Sequence, residues 1–290
     1  MLTLLFDGVA HGMVLFVLAL GLVVTLGLMN FVHLAHGAFA MAGGYVAVFA
    51  MRSLGLPFLA SLLLAFVGAA AAGALLERTL YRPMHRRPHL DQVLFSIGLV
   101  FMAMALADHL AGAAPRHLEP PAWLLGRTEL GEGALRLSMG HYRLFVIAVC
   151  AGLAAALQWV WSRTRFGARL RAAVDDPRVA GGMGIDVGRL FSVTFAAGSG
   201  LAGLGGALGA ELVGIDPAFP LRCLVPMLIV VAVGGTASVT GPLRAALLLG
   251  IAEVAGRYFV PALGGALVYL VTIALLLWRP RGLFAPGGAR

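Results

Sequence analysis

Lysine is missing from this sequence of 290 residues, and all 21 of its basic residues are arginines. Without lysine there can be no P-loop lysine, no Schiff-base lysine and no lysine general base, which excludes several classes of ATPase and enzyme. Charged residues of both signs are scarce at 12%, whereas a soluble domain averages about 25%. Hydrophobic residues fill 60% of positions and the mean hydropathy is +0.94, so the chain is predicted to be an integral membrane protein.

Cysteine is also rare, and no polar stretch is long enough to form a second, soluble core. Cys150 and Cys223 both lie in or beside apolar runs, so a structural disulfide is not expected. Residues 1–290 are therefore predicted to form a single membrane domain. The first arginine is Arg52, which leaves the opening segment without the basic region of a cleaved signal peptide.

Apolar runs predict an all-α polytopic membrane protein with about eight to nine transmembrane helices. Residues 8–51 contain no Asp, Glu, Lys or Arg, and as one helix they would be about 66 Å long. Because the hydrocarbon layer is about 30 Å thick, this helix must break, and the polar cluster 30–37 is the predicted break. The predicted spans are 8–29, 38–51, 58–76, 92–107, 144–162, 190–210, 222–233, 243–259 and 263–278, and the two within 222–259 are alternatively one re-entrant pair.

Nine spans would place the N-terminus outside the cell and the C-terminus in the cytoplasm. The net charge of +8 would suggest a nucleic-acid partner in a soluble protein. In a membrane protein, arginines gather in cytoplasmic loops and fix the orientation, which accounts for the charge without nucleic acid. Two thirds of the arginines fall on the predicted inner side, and the others are Arg52, Arg116, Arg127, Arg136, Arg143, Arg222 and Arg257.

Small residues crowd the sixth predicted span. They recur four apart at Gly198 and Ala202 and again at Gly205 and Gly209. In lipid such faces let helices approach closely, so we expect close helix packing there. A glycine-lined path for a substrate is the alternative.

The most charged stretch, 163–189, lies between the fifth and sixth predicted spans and contains six arginines and three aspartates. Its middle predicts a short helix. Asp176 suits the N-cap, Pro177 the first helical position, and Gly184 the C-terminal end. An ordinary orienting loop would explain the arginines but not a helix with caps at both ends.

The side chains of this predicted helix favour contact with a separate cytoplasmic protein. Val179, Met183 and Ile185 offer a small apolar tip. Asp175, Asp176 and Arg178 can make polar contacts around it, as at the rim of a protein interface.

Polar residues interrupt the first long apolar run at Asn30, His33 and His36. Broken helices expose backbone groups that the protein or a water-filled path must satisfy. The two histidines are three residues apart and would share a helix face, but no acidic residue or cysteine is near enough in sequence to favour a metal site. Hydrogen bonding of the broken turn and contact with a transported substrate remain as alternatives.

Glu253 is the acidic residue deepest within a predicted span. A charge inside the membrane is costly and is usually paired or functional. Arg257, one helical turn on, and Arg244 are candidate partners, and a local ion pair is favoured. A proton-linked carboxylate, which would indicate a secondary carrier, is the alternative.

Three stretches resemble one family. Residues 29–45, MNFVHLAHGAFAMAGGY, are similar to MNxxNLAHGxxxMxGxY, and residues 77–83, ERTLYRP, are similar to ERxxYRP. Residues 165–186 are similar to a loop that contacts an ATPase. These motifs are typical of the inner-membrane permease subunits of ABC importers for branched-chain amino acids, the LivH-like group.

The resemblance implies a permease of the bacterial inner membrane, in contact with membrane lipid, that is not itself an enzyme. The helix in 163–189 would be a coupling helix that docks on an ATP-binding subunit. The implied partners are two ATP-binding subunits, a second homologous permease subunit and a periplasmic solute-binding protein. No cofactor is expected in this chain, because ATP would be bound by the partners.

A secondary carrier or a channel for a small polar solute such as urea or an amide is the main alternative, and the charged loop argues against it. A membrane-embedded enzyme is disfavoured because the acidic residues and histidines match no protease, metalloprotease or transferase spacing.

Overall fold

The computed structural model describes residues 1–29, 34–84, 87–130, 137–235, 238–261 and 264–278. Most of these residues are helical, and one antiparallel hairpin pairs β1 (Arg127–Leu130) with β2 (Leu137–Gly140). The helices are α1 (Leu2–Met29), α2 (His36–Arg52), α3 (Phe58–Leu76), a π-helix (Glu77–Tyr81), α4 (Arg82–Met84), α5 (His89–Ala111), a 3-10 turn (Ala122–Leu124), α6 (His141–Arg163), α7 (Arg165–Asp175), α8 (Pro177–Gly182), α9 (Val187–Leu212), α10 (Phe219–Gly234), α11 (Thr240–Phe259) and α12 (Gly264–Trp278).

Each predicted span coincides with a helix in the part of the chain that the structure describes. The third span matches α3 at both ends, whereas α1 begins at Leu2 rather than at residue 8. The all-α polytopic class is therefore confirmed, while the number of transmembrane helices and the single domain stay predictions. Among the described residues, the helical segments long and apolar enough to cross a bilayer are Leu2–Thr25, Phe58–Met84, Leu90–Ala111, His141–Arg163 and Val187–Leu212.

The segment after the third span, which the predicted spans leave as a connection to the fourth, is helical in its first part. The π-helix and α4 continue α3 as far as Met84. Tyr81 is fully buried, and its ring centroid lies 5.5 Å from that of Phe95 and 5.2 Å from that of Phe195. Tertiary packing of this ring therefore stabilises the helical continuation of α3.

Two further elements are absent from the predictions. The hairpin β1–β2 lies in the long polar connection 111–142, where Thr128 Oγ1 and His141 Nε2 are 2.9 Å apart. Helix α7 occupies the first part of the charged loop, where only the later, shorter helix was expected. Both elements are short and partly polar, so hydropathy does not reveal them.

One compact unit comprises Val17–Leu118 and Leu157–Pro226, and within it α9 packs against α2 and α3. An added Cβ on Gly203 would overlap the side chain of Ala69 and lie 2.9 Å from the carbonyl oxygen of Ala65. The four small residues singled out in the sixth span are all buried. The prediction of close packing along this helix is confirmed.

The other unit comprises Met1–Phe16, Glu119–Ala156 and the chain from Met227 onward. Here the first part of α1 contacts α11 through glycines. An added Cβ on Gly8 would lie 2.7 Å from the Cα atom of Ile251, and one on Gly12 would lie 2.7 Å from the carbonyl oxygen of Ala246. The two backbones therefore touch directly, as small residues permit in membrane helices.

Candidate functional site

The charged loop begins with a tight reversal between α6 and α7. Thr164 caps α7, since its Oγ1 accepts a hydrogen bond from the amide of Gly167 at 3.2 Å. An added Cβ on Gly167 would overlap the carbonyl oxygens of Val160 and Trp161. Arg171 donates a hydrogen bond to the Trp161 carbonyl oxygen, and its guanidinium carbon lies 6.0 Å from the Trp161 ring centroid. These contacts fix the direction of α7.

Apolar packing holds α7, α8 and the start of α9 together. Leu170 and Ala173 on α7 pack with Ala180 on α8 and Leu190 on α9. The partly buried hydrophobic residues around this cluster are Val24, Trp161, Phe166, Val174, Ile185, Val187 and Phe191. The loop is therefore a small folded platform rather than a flexible connection.

The N-terminus of α8 has the predicted cap. Asp176 Oδ1 accepts hydrogen bonds from the amides of Arg178 at 2.8 Å and Val179 at 3.0 Å. Pro177 occupies the first helical position, where no amide hydrogen is needed. The predicted start of the helix is confirmed.

The C-terminus of α8 ends in a Schellman motif. The amide of Ile185 donates to the carbonyl oxygen of Ala180 at 3.1 Å, and the amide of Gly184 donates to that of Gly181 at 3.0 Å. Gly184 has a φ of +82°, a conformation that glycine adopts without strain. The predicted end of the helix is confirmed as well.

Helix α8 presents most of its side chains to solvent. Ala180 is only 1% exposed, whereas Val179 and Met183 are 60% and 75% exposed. These two residues form the apolar tip, and the predicted polar neighbours Asp175, Asp176 and Arg178 are also exposed. Ile185, the third residue of the predicted tip, is partly buried against the apolar cluster, because the Schellman motif turns it inward.

A first cleft of about 530 Å³ lies beside the apolar tip. Asp186, for which no structural role was predicted, caps α9 by accepting a hydrogen bond from the amide of Arg189 at 2.9 Å. An aspartate three residues before that arginine and next to an apolar run is a signal that could have found this cap. The cleft is lined by Phe166, Arg169, Met183, Gly184, Ile185, Asp186, Arg189, Leu190 and Val193.

The residues predicted for a substrate path are only partly described. Asn30 and His33 lie outside the described residues. His36 is the first residue of α2 and is 1% exposed, and an added Cβ on Gly21 would overlap its ring. The close contact between α1 and α2 therefore explains why His36 is buried. Contact of His36 with a transported substrate stays a prediction.

Glu253 lies in an ion-paired cluster within its unit. Its Oε1 is 2.5 Å from a guanidinium nitrogen of Arg257, so the predicted local pair is confirmed. Its Oε2 is 3.0 Å from Nε2 of His11 on α1, a partner that lies far away in sequence and was not foreseen. Both carboxylate oxygens are therefore satisfied by the protein itself.

Residues 4–277 match the family model described as branched-chain amino acid transport system, permease component. The chain belongs to this family. Its members are membrane transport permeases rather than enzymes. No solved structure matches the permease significantly.

Curated relatives cover nearly the whole permease. The high-affinity branched-chain amino acid transport system permease protein BraD of Pseudomonas aeruginosa is 26% identical over 96% of this chain and 94% of its own. LivH of Escherichia coli K12 is also 26% identical with the same coverage. A probable LivH of Methanocaldococcus jannaschii is 28% identical over 97% of this chain and 89% of its own.

Proposed function

We propose that this permease is the transmembrane subunit of an ATP-driven importer that moves branched-chain, hydrophobic amino acids into the cytoplasm by alternating access. The family match and the names of the relatives support the solute class. Within the described helices, Glu253 is paired with Arg257 and His11, so no observation favours a proton-linked carrier over an importer.

Helix α8 is proposed as the coupling helix. The supporting observation is its form: a short helix, capped at both ends, packed on α7 and α9 through one alanine, with an exposed apolar tip. A linker that only connects two spans needs none of these features. The exposed tip and its charged neighbours suit a groove on another protein.

The proposed partners are two ATP-binding subunits, a second homologous permease subunit and a periplasmic solute-binding protein. ATP would be bound by the first of these, so this chain would need no nucleotide site or cofactor of its own. The N-terminus would lie outside and the C-terminus in the cytoplasm, which puts α8 on the side where ATP is available.

Substitution of Gly182 by arginine tests the coupling role. An added Cβ at this position meets no atom within 4 Å, so the permease can accept a side chain there without internal strain. We expect Gly182→Arg to insert normally but to lose, by at least about tenfold, both solute uptake and solute-stimulated ATP hydrolysis, because the new cation obstructs docking and desolvating it in an interface costs several kcal/mol. Uptake and ATPase activity of the reconstituted complex are the measurements.

Gly182→Ala is the matched control, since it adds only a methyl group at the same open position. It should retain uptake and coupled ATP hydrolysis. If Gly182→Arg also retains both, α8 does not dock on an ATP-binding subunit and the proposal is wrong.

A further inference from the structure

A second cleft, of about 560 Å³, lies between the end of α3 and the start of α9. Its polar lining consists of Arg78 on the π-helix, Arg82 on α4 and Arg189 on α9, together with Ser192 and Asp186. Its apolar wall consists of Ala74, Val193 and Ala196, which belong to α3 and α9.

A partly buried hydrogen bond joins the two sides of this cleft. The hydroxyl of Ser192 donates to Oε2 of Glu77 at 2.5 Å, and Glu77 is only 2% exposed. Gly188 leaves room for Arg82, since an added Cβ there would lie 3.3 Å from a guanidinium nitrogen of that arginine. The cleft is thus built by tertiary contacts and is more than a gap between mobile side chains.

In the part of the chain that the structure describes, neither Glu77 nor Asp186 forms an ion pair with the three guanidinium groups. Glu77 is engaged by Ser192, and Asp186 Oδ1 caps α9. Among the described residues, none of Arg78, Arg82 and Arg189 lies in a salt bridge, whereas three arginines of the predicted outer side do. Those outer pairs are Arg143 with Asp7, Arg222 with Asp216, and Arg257 with Glu253.

We propose that this cleft binds the headgroup phosphate of an anionic phospholipid from the cytoplasmic leaflet. Guanidinium groups bind phosphate oxygens in paired hydrogen bonds, and basic pockets between membrane helices at the cytoplasmic surface suit lipid headgroups. An acyl chain would follow Ala74, Val193 and Ala196 into the membrane, which is why a lipid fits better than an acidic segment of a soluble partner. The proposal rests on the orientation given under the proposed function.

Retention of lipid by the purified full-length permease tests the site. After reconstitution with phosphatidylcholine and phosphatidylglycerol and return to detergent, native mass spectrometry counts the phosphatidylglycerol bound to each chain. We expect Arg78→Gln/Arg82→Gln to weaken retention on the order of fivefold for each arginine removed. Arg189 is kept, because it also lines the first cleft.

Arg127→Gln is the matched control, because Arg127 is an exposed arginine of β1 outside the cleft. It should retain phosphatidylglycerol as the unaltered permease does, and inorganic phosphate should not displace the lipid. The proposal would be overturned if the double variant retained as much phosphatidylglycerol as the unaltered permease, or if Arg127→Gln lost as much as the double variant. Displacement of the lipid by inorganic phosphate would overturn it as well. So would a double variant that keeps its lipid but no longer binds an ATP-binding subunit, since the cleft would then serve the protein partner.

A measurement without substitutions covers the case in which the double variant does not fold. A photoactivatable phosphatidylglycerol should crosslink the unaltered permease within residues 74–82 or 186–196, and crosslinks confined to other peptides would contradict the site. Neither lipid measurement requires ATP or an amino acid. A failure of transport therefore remains distinguishable from a failure of lipid binding.

Discussion

Individual glycines decide how closely the helices of each unit approach. Gly203 on α9 faces Ala65 and Ala69 on α3 with no space for a side chain. The small-residue pattern of Gly198, Ala202, Gly205 and Gly209 predicted close packing along this helix, because spacing of four places such residues on one face, but it did not include Gly203. The pattern could not identify the partner helix, since that depends on the tertiary arrangement. The same limit applies to His11, whose contact with Glu253 joins two distant parts of the sequence.

Gly203→Leu should destabilise the permease. Overpacking of a filled helix contact costs about 1–3 kcal/mol, so the apparent melting temperature in detergent should fall by several degrees. Gly152→Leu is the control, because an added Cβ at this exposed position of α6 meets no atom within 4 Å. Equal melting temperatures in the two variants would contradict the packing described for α9.

At the scale of elements, hydropathy predicted where helices occur and missed those that depend on contacts. Long apolar runs located a helix at each predicted span, because a helix that crosses the bilayer needs an apolar surface to match the hydrocarbon. The π-helix after α3 was missed, since its formation depends on burial of Tyr81 against Phe95 and Phe195. Helix α8 was predicted because its signals are local: a capping aspartate, a proline at the first position and a glycine after the end. The structure shows the cap and the positive φ of that glycine.

Asp176→Ala should loosen α8 without unfolding the rest of the chain. Loss of an N-cap costs about 1 kcal/mol, so the amides of residues 178–183 should exchange with solvent about fivefold faster, by the ordinary relation between free energy and an equilibrium constant. Hydrogen exchange with mass spectrometry is the measurement.

Asp175→Ala is the matched control for this experiment. Asp175 is the neighbouring exposed aspartate, whereas the α8 amides bind Asp176. Its exchange profile should therefore match that of the unaltered permease. Faster exchange of α8 to the same extent in both variants would mean that charge, rather than the cap, holds the helix.

For the whole molecule, orientation in the membrane follows from arginine distribution and remains a prediction. Among the described residues, Arg143, Arg222 and Arg257 of the predicted outer side have carboxylate partners, whereas Arg78, Arg82, Arg169 and Arg189 of the inner side lie in no salt bridge. An inner leaflet with anionic lipid and an acidic partner surface would supply the missing counter-charges. The number of arginines on each predicted side can be counted from the sequence, whereas their salt bridges depend on the tertiary structure.

Labelling of single cysteines tests this orientation. Val179→Cys on the apolar tip should react with a membrane-impermeant maleimide only after the cells are permeabilised, whereas Leu54→Cys, in the exposed turn between α2 and α3, should react in intact cells. The native Cys150 and Cys223 are buried and should give little background. Labelling of Val179→Cys in intact cells would show that the orientation is the opposite of the predicted one, and the importer proposal would then be wrong.

The caps of α8 also bear on how the permease exchanges its partners. Both ends of this helix satisfy their backbone groups within the chain, through Asp176 at one end and Gly184 with Ile185 at the other. The helix consequently keeps its shape in the unassembled permease, and the proposed docking of an ATP-binding subunit would not require it to refold. Under the proposed docking, assembly strength then depends on complementary side chains, and we expect an ATPase of divergent sequence to substitute for the usual one if its groove has the same shape.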